Sequence, residues 1–366
     1  MSANKCTFMY QWFYNKISAK KAVADDSVYL LNDEEIRYVK RRENITIFLA
    51  ALIGAIMVLV LYLPQYWLPG LFPVSTFKVP FVDEPIEFGV VSFVYGMVLV
   101  FLEIVLLTFL NIYCTHHIAF SIGFINRETK HEKDKKSLLL SIGQEKKNKD
   151  IKNLGIDPYY GQKKSSVFLM NTLFTLKATL SNLLVKILIQ RVLGRYAVRE
   201  VMDMLGIPIF AFWNAWGTRQ VLREARIVIM GQNYLDYFKE ELQNHRKLTD
   251  REKVIIYDTL QYVAMSKRDY HKNHYLLSKL ILEQFEVSTV KNHIISKEYY
   301  KELSATESDF KLLNEKIILL GFALDGSLSV RERKNIKELN KFKIISQSPE
   351  EVKLLVERFV YGKGLL

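Results

Sequence analysis

Charge is missing over long stretches of this 366-residue chain. Between Asn44 and Phe77 there is no Asp, Glu, Lys or Arg, and between Phe88 and Thr115 there is one, Glu103. A buried helix of a water-soluble domain rarely runs so far uncharged. Cysteine is scarce as well: Cys6 and Cys114 are the only two. No disulfide framework beyond one bridge can form, which agrees with a reducing compartment. The 8 prolines and 16 glycines exclude a low-complexity chain. No phosphate loop, dinucleotide fingerprint, nucleophile elbow, HExxH or kinase set occurs, so the expectation is a protein without enzymatic chemistry. No cleavable leader is expected either. The first apolar run begins near residue 45, and no apolar stretch precedes Cys6.

What is present is a mixture of apolar runs and basic clusters. Hydrophobic residues make up 49% of the chain, and mean hydropathy sits close to zero. A small membrane part joined to a charged part fits both values. The run Ile45–Leu63 would be about 28 Å long as a helix, the thickness of a hydrocarbon core. Pro64 is expected to end it, and Tyr62, Tyr66 and Trp67 stand where an aromatic belt lies. The expected spans are 45–63 and 88–113, joined by an extracytoplasmic loop at 64–87. Eight Lys and Arg residues precede the first span, Lys78 alone lies in the loop, and eleven follow between Arg127 and Lys164. The positive-inside rule then puts both termini in the cytoplasm, with the chain in the cytoplasmic (inner) membrane. The net charge of +12 thus flanks the spans. Anionic lipid headgroups are a more economical partner for it than nucleic acid, for which no binding motif occurs.

Glu103 is the one acid inside a span, and an ionised carboxylate there costs several kcal/mol unless paired or protonated. Neither span holds a Lys or Arg to pair with it. Three readings follow. It faces symmetry mates in an oligomer, it lines an ion path, or it sits protonated against Ser or Thr of the first span.

After residues 1–44 and the hairpin at 45–115 comes a basic stretch, 116–165, read as a solvated linker. A membrane-proximal helical unit is expected at 166–245. Within it Leu169, Leu173, Leu176, Leu180, Leu183 and Ile187 form one helical stripe. Residues 204–218 carry no charge but are short for a span, so a buried turn-helix or shallow membrane hairpin is expected. Arg195, Arg199, Arg219 and Arg223 border this stretch as candidates for lipid phosphate, or for pairing with Asp203, Glu200 and Glu224. The residues Gly206-Ile-Pro208, Trp213-Asn214-Ala215, Thr218-Arg219 and Ala225 resemble the segment shared by EcsC-like proteins. That resemblance implies a membrane-contacting helical element. The chain departs from it with Phe210, Phe212, Trp213 and Trp216 where the family favours Gly and Ala.

Residues 246–366 are charged and striped for helices near 250–265, 271–286, 297–303, 308–324, 329–342 and 349–361. Thr249 with Glu252, and Ser348 with Glu351, have capping-box spacing. The run Ala323-Leu-Asp325-Gly326-Ser-Leu-Ser329-Val-Arg-Glu332 reads as a helix end, a tight turn and a capped helix start. It also resembles the repeated motif of tellurite-resistance TerB-like and DjlA-like helical domains. A degenerate copy lies 59 residues earlier, at Ala264, Ser266, Tyr270 and Asn273, with Ser266-Lys267 in place of Asp-Gly. Asp325 and Glu332 are candidate ligands for a divalent cation, though short of a calcium loop's oxygen set. His271 and His274 stand at i, i+3 near Asp269, a spacing open to zinc, but are expected to be solvated.

The sequence therefore predicts an all-α protein: a two-helix transmembrane hairpin and a cytoplasmic helical region ending in a TerB-like bundle. The function expected is a membrane anchor for that module, in envelope stress response or scaffolding, with a protein partner or a second copy. The alternative is an oligomeric channel or membrane-perturbing effector with Glu103 at a pore or subunit interface.

Overall fold

The computed structural model describes residues 30–73, 75–77, 86–125, 150–160, 206–269, 271–290 and 293–365, with a few isolated positions besides. The Leu169–Ile187 stripe, Arg195, Arg199 and Tyr270 lie outside the described residues. Nine helices are numbered here: α1 (Asp33–Trp67), α2 (Val90–Ser121), α3 (Gly206–Gln243), α4 (Asp250–Lys267), α5 (Lys272–Gln284), α6 (Tyr299–Ser304), α7 (Ser308–Ala323), α8 (Val330–Lys341) and α9 (Pro349–Val360). The architecture is helical. One short antiparallel ribbon, β1 (Ser75–Phe77) with β2 (Ile86–Phe88), pairs Ser75 with Phe88 in the loop after α1. The chain divides into two units, and the division falls within α1, α2 and α3.

The first unit holds the apolar parts of α1 and α2, both long and apolar enough to cross a membrane. Their outward faces are bare hydrocarbon: Phe48, Leu52 and Ile56 on α1 and Phe93, Met97 and Phe101 on α2 are exposed. Pro64 does not end α1, which continues to Trp67. A proline inside a helix leaves the carbonyl four residues back without its N–H. That carbonyl belongs to Val60, and the Tyr95 hydroxyl of α2 donates to it at 2.7 Å. The helix pair thus repairs the break that sequence reasoning expected. Gly96, one residue on, lies against Leu61.

The second unit is built around α4 and α7. Gly321 lets them close: a Cβ there would sit 2.4 Å from Val263 Cγ1. Ile255, Ile256 and Leu260 of α4, Ile317, Ile318 and Phe322 of α7, and Val352 and Phe359 of α9 are all almost fully buried. Each such side chain contributes about 1.5–3 kcal/mol through removal from water. Capping boxes start α4, α8 and α9, at Thr249–Glu252, Ser329–Glu332 and Ser348–Glu351.

The linker differs from its expectation over part of its length. Residues 150–160 are docked on the bundle, not free in a solvated linker. The Tyr257 hydroxyl donates to Leu154 O, Asp157 N donates to Gln261 Oε1, and Ile151 and Ile156 are buried. Apolar residues in a lysine-rich stretch supply that docking face. Leu31 N likewise donates to Gly362 O at 2.8 Å, tying the residues before α1 to the chain's last turn.

Tyr95→Phe should lower the thermal stability of the detergent-solubilised chain by about 1 kcal/mol. In a Pro64→Ala background the restored N–H can serve Val60 O, so the same substitution should cost markedly less. Equal losses in both backgrounds would show that Tyr95 acts otherwise.

Candidate functional site

Two places hold the buried charged groups of interest. The first is Glu103 on α2. Its carboxylate Oε1 accepts a 2.6 Å hydrogen bond from Asn214 Nδ2 on α3. The partner is therefore neither Ser nor Thr of the first span, but an amide 111 positions away. Gly54 of α1 makes room for it. A Cβ at Gly54 would lie 2.7 Å from Asn214 Nδ2 and 2.8 Å from Phe210 O. Three helices meet here at one point, through one acid, one amide and one missing side chain.

The second place is the turn between α7 and α8. Gly326 takes φ +66, and a Cβ there would meet Ile227 Cδ1 at 2.5 Å. Lys267, the last residue of α4, points its ammonium into this turn. Nζ donates to Phe322 O at 2.7 Å, Asp325 Oδ1 at 2.7 Å and Ser327 O at 2.8 Å, and pairs with Glu332. Its side chain is 1% exposed. The position a divalent cation would take between Asp325 and Glu332 is filled by this ammonium. Among the described residues there is no group of three or more His, Cys, Asp and Glu able to hold a metal.

The surroundings extend the network. Asn273 Nδ2 donates to Leu324 O at 2.7 Å and to Ile227 O at 2.9 Å. Arg223, a lipid-phosphate candidate from sequence, instead donates to Gly326 O. Arg219 is exposed. His271 and His274 are not solvated: both are buried, because the turn before α5 folds under α3 and α7. His271 Nδ1 accepts from Asn273 N, capping α5, while its Nε2 lies 3.1 Å from Glu224 Oε1. His274 Nε2 donates to Gly321 O at 2.9 Å.

Burial and charge set the protonation. Burial works to raise Asp325, but the Lys267 ammonium outweighs it and the net direction is down. For Glu332 burial prevails over Lys267, and the direction is up. Burial, with help from the charges of His271 and Lys267 and against Asp325, drives His274 down to about 3, so it is neutral. For His271, burial pulls down but contact with Glu224 carries it up; Glu224 is raised by burial and lowered further by His271.

Sequence reasoning selected Glu103, Asp325 and Glu332 but missed Asn214, Gly54, Lys267 and Asn273. The clue was there for Lys267 and Asn273. They stand 59 residues before Gly326 and Glu332, where the degenerate copy departs from the motif. No family model, curated protein or solved structure matches the chain.

Lys267→Met should cost about 3–5 kcal/mol, because it leaves two buried carboxylates without their counter-charge. Adding Asp325→Asn and Glu332→Gln should recover most of that loss in chemical unfolding. A triple variant no more stable than the single one would rule out charge as the cause.

His274 also sets a pH dependence. The unfolded chain protonates this histidine below pH about 6.5, whereas the folded chain resists until about 3. Folding stability from this group is thus whole above 6.5 and falls as pH drops through that window, by at most about 1.4 kcal/mol per unit. His274→Gln keeps an N–H for Gly321 O and removes the titration. Its urea midpoint should decline less steeply between pH 6.5 and 4. His271, shifted upward, has the opposite sign and is present in both proteins.

Proposed function

We propose that the chain is a non-enzymatic membrane protein whose α1–α2 hairpin anchors a cytoplasmic TerB-like helical module, for scaffolding or envelope stress response through a protein partner. The observation that carries this reading is the Glu103–Asn214 bond. The one intramembrane acid is served from within the same chain, so the anchor is complete without a symmetry mate. At the α7–α8 turn the buried acids likewise find their partner within the chain, Lys267 pairing with both Asp325 and Glu332. The basic residues on both sides of the hairpin support a cytoplasmic location for both termini and contact with anionic headgroups.

The rival reading makes Glu103 part of a pore. The full chain reconstituted in planar bilayers separates the two. The anchor reading expects no unitary conductance from the native protein or from Glu103→Gln. It also expects a cysteine placed at residue 75 to react only from the extracytoplasmic side. Conductance abolished by Glu103→Gln would favour the pore, and cytoplasmic labelling at 75 would reverse the orientation.

A further inference from the structure

The uncharged stretch 204–218 is short for a span by length, but the neighbours of its described part, 206–218, give its depth. Tyr95 of α2 is level with Val60 of α1, through their hydrogen bond. Glu103 lies eight positions further along α2, about 12 Å at 1.5 Å per residue. That puts it level with Leu52–Gly54, the middle of the Ile45–Leu63 run. Asn214, bonded to Glu103 and beside Gly54, shares that level. Gly206 lies against Val58, with 3.4 Å from its Cβ position to Val58 Cγ1. The first residue of α3 is therefore past the midpoint of the run, towards its extracytoplasmic end.

We propose that residues 206–218 lie inside the hydrocarbon layer, packed on the α1–α2 hairpin by the Asn214–Glu103 bond, with their outer face against lipid acyl chains. This rests on the reading that α1 and α2 span the membrane.

Four observations fit together. No charge occurs from Gly206 to Thr218. Phe210, Phe212 and Trp216 are 37%, 57% and 39% exposed, and Phe212 stacks on Trp216 with centroids 6.2 Å apart. Phe48 and Leu52 of α1 and Phe101 of α2 are exposed as well, so large apolar side chains are exposed on all three helices. Finally, Pro208 of α3 carries no N–H that hydrocarbon would leave unsatisfied. The occupant of the Phe210–Trp216 face is thus acyl chain, not water and not a soluble protein.

Trp216 is its own probe. The full chain carrying Trp12→Phe, Trp67→Phe and Trp213→Phe is reconstituted in phosphatidylcholine vesicles, with or without mid-chain brominated acyl groups. A control carries Leu52→Trp, on the exposed face of α1, in a Trp-free background. Trp216 should be quenched by brominated lipid to within about twofold of that control and should ignore aqueous iodide. Phe212→Trp with Trp216→Phe should behave alike, which guards against one variant misfolding. Iodide quenching of both, with the Leu52→Trp control still quenched by bromine, would overturn the insertion and leave the hairpin intact. A control that bromine does not reach would overturn the hairpin and the inference together.

Discussion

One ammonium group fixes the centre of the C-terminal unit. Lys267 Nζ is held by two backbone carbonyls and two carboxylates at the α7–α8 turn. A charge taken out of water in this way is tolerated only when the site supplies its counter-charges and fills its hydrogen bonds. That requirement dictates the rest. Asp325 and Glu332 must face inward, the turn must be tight enough to aim both, and Gly326 must take its positive φ. α4 must end where its last side chain reaches the turn. Arg223 and Asn273 then tie α3 and α5 to the same backbone, at Gly326 O and Leu324 O. Five helices take their places from a buried charge.

The unit that holds the two long apolar helices obeys the same rule with weaker partners. Hydrocarbon offers no water to an unmet polar group, so each must find a partner within the protein. Val60 O, orphaned by Pro64, takes the Tyr95 hydroxyl. Glu103 takes the Asn214 amide. Both bonds join different helices, so repair of a local fault also sets helix register. Gly54 completes the arrangement by letting α3 approach to backbone contact. In lipid, close packing and interhelical hydrogen bonds replace the hydrophobic drive that assembles the bundle.

The parts of the fold legible from sequence are those decided locally. The apolar runs needed only composition, and the starts of α4, α8 and α9 needed only a cap and an acid three residues on. What sequence could not reach was decided by distant partners. Asn214 and Glu103 are 111 positions apart, and Lys267 and Asp325 are 58 apart. Pro64 reads as a stop until Tyr95 is seen to replace its missing donor. His271 and His274 read as solvated on a lysine-rich helix because burial is a property of what packs over them. Residues 150–160 read as a tether because the stretch around them is rich in lysine, whereas Ile151 and Ile156 dock them. The degenerate repeat misled for a sharper reason. Loss of the acidic pair from its first copy looked like decay, whereas the lysine there is the counter-charge that the second copy requires.

This complementarity bears on what the module can do. A turn that carried both carboxylates without Lys267 would present a net negative site and depend on a mobile cation to close. With the ammonium carried on α4, one counter-charge for the two carboxylates comes from within the chain. The Lys267–Asp325 and Lys267–Glu332 pairs therefore hold this turn with groups of the chain itself. Glu103 fits the same description. A carboxylate that conducts must exchange its partner for water or for an ion, and one held by Asn214 beside the Gly54 contact is fixed in place. Internal partners at both buried acids are what the proposed anchor reading would require.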